Sequence, residues 1–159
     1  IMLDLDYFKQ INDNYGHEAG DHALIWIAGL LKKVAGKQGL PIRYAGDEFM
    51  ILMPQSNNEA SLKIGLHLLQ YVRENPFQPD EQSEPIKLTI SLGTATAPDD
   101  AQNGKSLIRQ ADTALYSAKK NGRDRLVNAG EVNPEEVIAK SAIYQYGEIK
   151  IVGRRKQLA

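Results

Sequence analysis

The spacing of apolar and polar residues predicts short strands alternating with amphipathic helices. Strands are predicted over residues 1–5, 42–44, 49–53, 86–92 and 125–127, and helices over residues 7–14, after residue 17 to about 34, 56–74 and 103–120. The clearest strand is 86–92, where apolar residues occupy every second position. The helix that ends near residue 34 carries Leu24, Ile27, Leu31 and Val34 on one face. Ser56 and Glu59 have the spacing of a capping box at the start of the third helix.

The pattern changes at about Ala129. A short helix is predicted to begin at Asn133 and a strand at residues 149–152. We interpret residues 1–128 as one domain. Residues 129–159 are then a C-terminal extension or linker, or the start of a further module.

Composition narrows the classes of protein. The 159 residues suit one domain. A net charge of −1 argues against a nucleic-acid-binding protein held by phosphate attraction. The absence of cysteine excludes a disulfide scaffold and a thiolate metal site. The sequence contains neither an apolar run of membrane-spanning length nor a signal peptide, so we expect a cytoplasmic protein. Because the chain opens at Ile1 directly in a predicted strand, we expect a fragment of a longer protein.

Two acidic clusters lie beside predicted strands. Asp4 and Asp6 end the first strand, and Asp47 and Glu48 follow Gly46 in a predicted hairpin turn. If the strands are neighbours, the carboxyl groups converge and repel unless a divalent cation such as Mg²⁺ binds them. Such a site suits two-metal phosphoryl transfer. The alternative is that these acids are merely solvated turn residues.

Three cations could neutralise a bound phosphate chain. Lys9 follows the first acidic cluster, and Lys119 and Arg123 are spaced to share a helix face near its end. The alternative for the last two is interaction with the helix dipole.

Three ordered blocks of sequence resemble one family. The stretch DLDYFKQINDNYGHEAGD at residues 4–21 resembles the DxDxFKxIND…GHxxGD signature of GGDEF domains, the diguanylate cyclases. RYAGDEF at residues 43–49 resembles the motif that names the family, and ADTALYSAKKNGR at 111–123 resembles its closing block. The resemblance implies an α+β fold with a mixed, largely antiparallel five-stranded sheet flanked by helices, similar to nucleotidyl cyclases and polymerase palm domains.

The resemblance also implies an activity. Family members condense two GTP molecules into cyclic di-GMP and release pyrophosphate, with one GTP on each chain of a homodimer. Two Mg²⁺ ions, with Mn²⁺ as the alternative, would be held by Asp4, the Leu5 carbonyl, Asp47 and Glu48. Asp47 and Glu48 would be the catalytic pair, and Asp47 would help to deprotonate the attacking 3′-hydroxyl.

The same comparison assigns residues to the substrate. The groups expected to contact phosphate are the backbone N–H groups of Tyr7 and Phe8 and the side chains of Lys9, Lys119 and Arg123. Asn12 and Asp21 would read the base, because a carboxylate accepts from the guanine N1–H and N2–H groups and adenine lacks that edge. Gly46 would let the nucleotide lie close to the hairpin.

The sequence departs from the family pattern at several places. Ala45 replaces the first glycine of the name motif, which is tolerated if that position has an ordinary backbone angle. At the positions of the family's product-inhibition motif RxxD, this chain has Gly36-Lys37-Gln38-Gly39. Because the arginine is missing, we expect no product inhibition there. The opening LTGLxNR helix is missing. The tail at residues 151–158 faintly resembles the start of ATPase modules, which suggests a flanking regulatory or ATPase-like domain.

Two further readings stay open. A degenerate GGDEF domain could bind GTP or cyclic di-GMP and regulate a neighbouring domain without turnover. A structural interaction domain without nucleotide would leave all three motifs as coincidences.

Overall fold

A computed structural model describes residues 1–80, 82–138 and 140. The strands are β1 (Met2–Leu5), β2 (Leu40–Ala45), β3 (Glu48–Leu52), β4 (Ile90–Thr94) and β5 (Arg125–Asn128). The helices are α1 (Phe8–Tyr15), α2 (His17–Ala35), α3 (Asn58–Glu74) and α4 (Gly104–Lys120). A 3₁₀ turn, Ala129–Glu131, follows β5. The predicted order of strands and helices is therefore confirmed.

The strands form one five-stranded sheet in the order β2-β3-β1-β4-β5. Every neighbouring pair is antiparallel except β4 and β5, which are parallel and joined through α4. A parallel pair needs such a crossover, whereas the antiparallel pair β2 and β3 needs only a tight turn. The expected mixed, largely antiparallel sheet is confirmed, and its central strand, β1, carries the first acidic cluster.

The two faces of β1 point into different environments. Leu3 and Leu5 belong to the main core, whereas Met2 packs with Ala111 and Leu115 of α4. Side chains two residues apart in a strand share a face, so Asp4 lies on the α4 side with Met2. This alternation delivers one carboxyl group to α4 while its neighbours anchor the strand in the core.

Helix α4 lies directly against β4. A β-carbon on Gly93 would overlap the α4 backbone at Ala111 and Leu115. Glycine at this position permits the close approach of helix and strand. The packing fixes the distance from α4 to the sheet and thereby the position of the lysine at its end.

Three local features differ from the sequence expectation. Strand β4 begins at Ile90 rather than at residue 86, and Ile86 instead forms an isolated bridge to Phe77. All of β4 is buried, because it lies between two strands and beneath helices, so Ser91, a polar residue of the alternating pattern, does not reach solvent. The cap of α3 is Asn57, whose side chain accepts from the Ala60 N–H, and not Ser56.

The C-terminal region is described only in part. Residues 134–138 are helical, as expected from the Asn133-Pro134 start. The side-chain amide of Asn121 donates to Glu136 over 3.0 Å, which ties this segment to the end of α4. The strand predicted at residues 149–152 and the ATPase-like resemblance at 151–158 lie outside the described residues. Of the helices in the described part of the chain, none has both the length and the apolar character needed to cross a bilayer.

Candidate active site

The end of β1 and the β2–β3 hairpin lie side by side. Asp4 of β1 is the direct antiparallel partner of Glu48 of β3, so both side chains emerge on the same face of the sheet. The Leu5 N–H lies 3.4 Å from the carbonyl oxygen of Asp47 in the hairpin turn. The expectation that these two acidic segments are neighbours is confirmed.

The hairpin turn consists of Gly46 and Asp47. Gly46 has a φ of +49°, a backbone conformation that glycine adopts without strain. The Arg43 Nε–H donates to the Gly46 carbonyl oxygen over 2.9 Å and braces the turn. Ala45 is absent from the non-glycine residues with positive φ in the described part of the chain. The missing first glycine is therefore not required by the backbone of this hairpin.

A lysine from α4 pairs with the β1 carboxyl group. The Lys119 Nζ lies 2.7 Å from Asp4 Oδ2. Burial raises the pKa of Asp4 to about 6, although the hydrogen bond and charge of Lys119 oppose the rise. The nearby charges of Asp47 and Glu48 contribute to this rise in the pKa of Asp4. The site thus holds more acidic groups than its one paired ammonium compensates, which is the electrostatic condition that a bound cation relieves.

Asp6 does not join the acidic cluster, contrary to the expectation that both acids of β1 converge on the hairpin. It lies one residue beyond β1 and is buried. Its carboxyl oxygens accept from the hydroxyl groups of Thr89 and Ser91 and from the N–H of Asp124, over 2.7–3.0 Å. With these donors its oxygens are satisfied by the protein and face β4 rather than β3.

The remaining acids supply a hard, all-oxygen donor set. Among residues 1–80, 82–138 and 140, no three acidic or histidine side chains are grouped closely enough to hold a metal ion as they stand. Lys119 takes the place of a cation at Asp4. Oxygen donors of this kind match Mg²⁺, which uses one or two carboxylates and completes its shell with water and phosphate. The donor chemistry fits Mg²⁺, and the ammonium of Lys119 occupies one of the two carboxyl oxygens of Asp4.

The start of α1 faces the same end of β1. Tyr7 precedes the helix with a φ of 58°, and within the described residues no side chain caps the first turn. The N–H groups of a first turn lack helical partners and attract anions. Lys9 is exposed on this turn, and Phe8 is half-buried. These are the groups expected to contact phosphate.

Arg123 reaches this region by a route that the sequence reasoning did not predict. Helix α4 ends at Lys120, so Lys119 and Arg123 do not share a helix face. Gly122 and Arg123 both have positive φ and turn the chain. The Arg123 Cζ lies 4.7 Å from the centroid of the Tyr7 ring, a cation–π contact beside the start of α1.

The two residues expected to read the base lie where α1 meets α2. Gly20 packs so closely on α1 that a β-carbon there would overlap the side-chain amide of Asn12. Asp21 is the next residue and is exposed. It lines a cavity of about 430 Å³ between α2 and the β2–β3 hairpin. A second cavity, of about 850 Å³, lies between the hairpin and α4 and is lined in part by Glu48.

Arg43 and Asp124 were not identified as site residues from the sequence. Arg43 precedes the turn that it braces, and a basic residue three positions before a hairpin glycine is a weak local signal. The Asp124 N–H donates to Asp6, and the Asp124 carboxyl group accepts from Arg73. Both partners are distant in the chain, so no local sequence pattern predicts these contacts.

The segment that matches the product-inhibition motif follows α2. Gly36 has a φ of +54° and turns the chain, and Lys37 and Gln38 are exposed. A β-carbon at Gly39 would press against Ile51 and Ala35. Gly36 and Gly39 are therefore explained by the backbone turn and by close packing. The absence of product inhibition at this segment stays a prediction.

Comparison with known proteins identifies the family. The family model for the "Diguanylate cyclase, GGDEF domain" matches residues 1–125. The chain is 35% identical to "Diguanylate cyclase A" of Treponema denticola over 79% of its own length and 33% of that protein. It is 40% identical to "Diguanylate cyclase DgcP" of Pseudomonas aeruginosa, again over 79% of its length but only 18% of that protein. The chain thus spans a third or less of these two curated relatives.

Solved structures agree with the family model. The GGDEF domain of YfiN (TpbB) from Pseudomonas aeruginosa has 31% sequence identity and a TM-score of 0.76, covering 83% of this chain and 81% of that one. The GGDEF domain of DgcB from Caulobacter crescentus, solved in complex with c-di-GMP, has 29% identity and a TM-score of 0.74, covering 82% and 76%. These matches confirm the expected cyclase-like fold. The chain belongs to the GGDEF domain family of diguanylate cyclases.

Proposed function

We propose that this domain is a diguanylate cyclase that converts two GTP molecules into cyclic di-GMP and two pyrophosphates. The observation that carries the proposal is the pairing of Asp4 with Glu48 across β1 and β3, with Lys119 at the same carboxyl group. In each of two equivalent steps, a 3′-oxygen would bond to the α-phosphorus of the other GTP. The bond from that phosphorus to the bridging oxygen would break, pyrophosphate would leave, and the hydroxyl proton would be lost.

The metal would be held by Asp4, the Leu5 carbonyl, Asp47 and Glu48. Charge neutralisation and activation of the attacking oxygen are the chemistry that two bound Mg²⁺ ions, or Mn²⁺ in their place, supply. Asp4 is buried and its pKa is about 6, so it is available as an anionic ligand at neutral pH. Asp47 would accept or relay the proton of the 3′-hydroxyl from its position in the turn.

The cations would bind the phosphate chain. Lys119, whose ammonium lies 2.7 Å from Asp4 Oδ2, would turn to phosphate oxygens if Asp4 served as a metal ligand. Arg123 beside Tyr7, the exposed Lys9 and the first N–H groups of α1 would complete the anion site. The ion pair of the metal-free protein thus keeps Lys119 next to the place where the substrate would need it.

Asn12 and Asp21 would select guanine. Asp21 can only accept hydrogen bonds when ionised, which matches the N1–H and N2–H donors of guanine. The close fit of Gly20 against Asn12 holds these two residues at the same junction of α1 and α2. Gly46 leaves open space above the hairpin turn, since a β-carbon there would meet no atom within 4 Å. That space supports a nucleotide lying close to the turn.

Turnover would need two chains, since one chain binds one GTP in this scheme. We therefore propose a homodimer as the active species, acting in the cytoplasm, where GTP is available. Ala45 is a weak argument for the alternative, a catalytically silent domain that only binds nucleotide. The ordinary φ of Ala45 removes that argument.

The test is incubation with GTP and Mg²⁺ and chromatographic detection of cyclic di-GMP, at increasing protein concentration. The wild type should form product, and Glu48→Gln, which removes one anionic ligand while keeping the side chain's size, should not. Glu59→Gln is the matched control, because Glu59 is an exposed glutamate in the first turn of α3. Binding of GTP without product by the wild type would favour the silent domain.

A further inference from the structure

The turn between α4 and β5 holds Arg123 in an unusual backbone conformation. Gly122, Arg123 and Asp124 have φ values of 107°, 62° and 44°. Residues with side chains rarely adopt such angles, and they keep them only where the surrounding structure imposes them. The Arg123 N–H donates to the Ala118 carbonyl oxygen and the Arg123 carbonyl oxygen accepts from the Arg125 Nε–H, both over 3.0 Å. These bonds are local, and the contacts that tie the turn to the rest of the fold are made by the next residue, Asp124.

The main contact comes from Asp6. Its side chain is buried, and its Oδ2 accepts from the Asp124 N–H over 3.0 Å and from the Thr89 hydroxyl over 2.9 Å. Its Oδ1 accepts from the Ser91 hydroxyl over 2.7 Å. One carboxyl group thus joins the end of β1, the β4 region and the strained turn. A buried acceptor with these donors fixes the turn more firmly than a solvated contact would.

A second contact reaches the turn from the surface. The Arg73 Nε lies 3.0 Å from Asp124 Oδ1, and its Nη2 donates to the Asp124 carbonyl oxygen over 2.6 Å. Both partners are partly exposed, with side-chain exposures of 46% and 37%. Exposed ion pairs contribute little, so Asp6 is the stronger anchor of the two.

The guanidinium of Arg123 lies over the ring of Tyr7, the residue next to Asp6. Tyr7 follows Asp6 directly in the chain and has a φ of 58°. Its ring centroid lies 4.7 Å from the Arg123 Cζ. Asp6 therefore holds the Arg123 side of this contact through the N–H of Asp124, and it precedes Tyr7 in the chain.

We propose that Asp6 is a positioning residue that sets Arg123 over Tyr7, where the guanidinium meets the phosphate chain of GTP. This inference rests on the proposed function, because it assumes that Arg123 binds phosphate. Asp6 itself touches neither substrate nor metal. Its effect on GTP passes through the N–H of Asp124.

Kinetics of two Asp6 variants test the proposal. Asp6→Ala should raise KM for GTP about tenfold, the cost of a misplaced charge-assisted contact, and change kcat less. Asp6→Asn should stay within about threefold of the wild type, because its amide oxygen can take both Oδ2 donors and the Ser91 hydroxyl can turn to accept from the amide. Ser91→Ala is the matched control, since it removes a donor to the other oxygen.

A double variant tells positioning from general damage. If Asp6 acts through Arg123, then Asp6→Ala combined with Arg123→Ala should have the KM of Arg123→Ala alone. Effects that multiply would overturn the proposal, as would an unchanged KM in folded Asp6→Ala. If Asp6→Ala does not fold, Asp6→Ser replaces it, because its hydroxyl is polar but too short to reach Asp124.

Hydrogen exchange gives a readout that does not need activity. Asp6→Ala should speed exchange of the Asp124 amide relative to the wild type, Asp6→Asn and Ser91→Ala. Equal exchange in all four proteins would overturn the positioning role. A wild type without turnover would overturn the proposed function alone and leave this measurement to decide on Asp6.

Discussion

The ammonium group of Lys119 lies 2.7 Å from the Asp4 carboxyl oxygen Oδ2, on the face of the sheet that Asp4 shares with Glu48. The lysine that the family motif assigns to phosphate is thus paired with the carboxyl group assigned to metal. A metal ion bound at this oxygen would lie beside the ammonium, and the two cations would repel each other. Competition between the two cations at Asp4 leads to the first prediction, and the burial of the same carboxyl group leads to the second.

Replacing Lys119 with Met should separate metal binding from catalysis. Without the competing ammonium, Mn²⁺ binding in the absence of nucleotide should tighten by about fivefold, the equivalent of roughly 1 kcal/mol for a partly exposed ion pair. Formation of cyclic di-GMP should fall, because a phosphate contact is lost. Electron paramagnetic resonance of Mn²⁺ measures the first effect. Lys120→Met is the control, and weaker Mn²⁺ binding in Lys119→Met would contradict this competition.

The raised pKa of Asp4 predicts a pH dependence of stability without metal. Burial disfavours the ionised form, so the pKa is about 6 in the folded protein against about 3.9 in the unfolded chain. The folded protein then binds the proton of Asp4 more tightly than the unfolded chain does. The stabilisation of the fold by this proton is complete below pH ~4 and is lost as the pH rises through ~6. The loss amounts to at most about 3 kcal/mol.

Chemical denaturation of the wild type and Asp4→Asn between pH 4 and 7 measures this effect. The free energy of unfolding of the wild type should fall relative to the variant as the pH rises. A constant difference across this range would show that the pKa of Asp4 is not raised.

The β2–β3 turn predicts a smaller loss of stability for substitution of Ala45 than for substitution of the adjacent Gly46. Ala45→Gly should leave turnover unchanged, because Ala45 does not have a positive φ, and should destabilise the fold by about 0.5–1 kcal/mol. Gly46→Ala should destabilise by about 1–2 kcal/mol, because the φ of +49° strains alanine. Thermal unfolding together with turnover rates checks both. A large gain in activity in Ala45→Gly would show that the natural alanine impairs the site.

The carboxylate of Asp21 should determine the preference of the domain for guanine over adenine. Asp21→Ser should reduce the preference for GTP over ATP by at least about tenfold, because sites built on such hydrogen bonds discriminate by up to roughly 10⁴-fold. Competition between the two nucleotides in one reaction measures the ratio. Glu18→Gln, an exposed acid one turn earlier on α2, should leave it unchanged. An unaltered ratio in Asp21→Ser would remove Asp21 from the base pocket.

The fold followed from local signals in the chain. The short apolar run of β1, the tight Gly46-Asp47 turn and the Gly122 stop predict a strand, a hairpin and the end of α4, and each depends on neighbouring residues only. The boundary errors have the same origin. Ser56 and Asn57 are both good cap formers, so composition does not decide between them.

The site was harder to predict from the sequence, because its contacts join residues that are distant in the chain. The register that faces Asp4 with Glu48 depends on strand pairing, which the sequence only suggested. The donors that hold Asp6 belong to Thr89, Ser91 and Asp124, which are all distant in the chain. No residue near Asp6 in the sequence therefore indicates that its role differs from that of Asp4. Arg123 was assigned to a helix face that does not extend so far, although Gly122 marked the end of the helix.

The most direct test of the account is the initial rate of GTP consumption with Mg²⁺ as the protein concentration is raised. The account predicts cyclic di-GMP and pyrophosphate in a ratio of one to two, a rate per chain that increases with concentration, and loss of both products in Glu48→Gln. Equal turnover by Glu48→Gln and the wild type, at any concentration, would contradict a shared site of Asp4 and the hairpin acids.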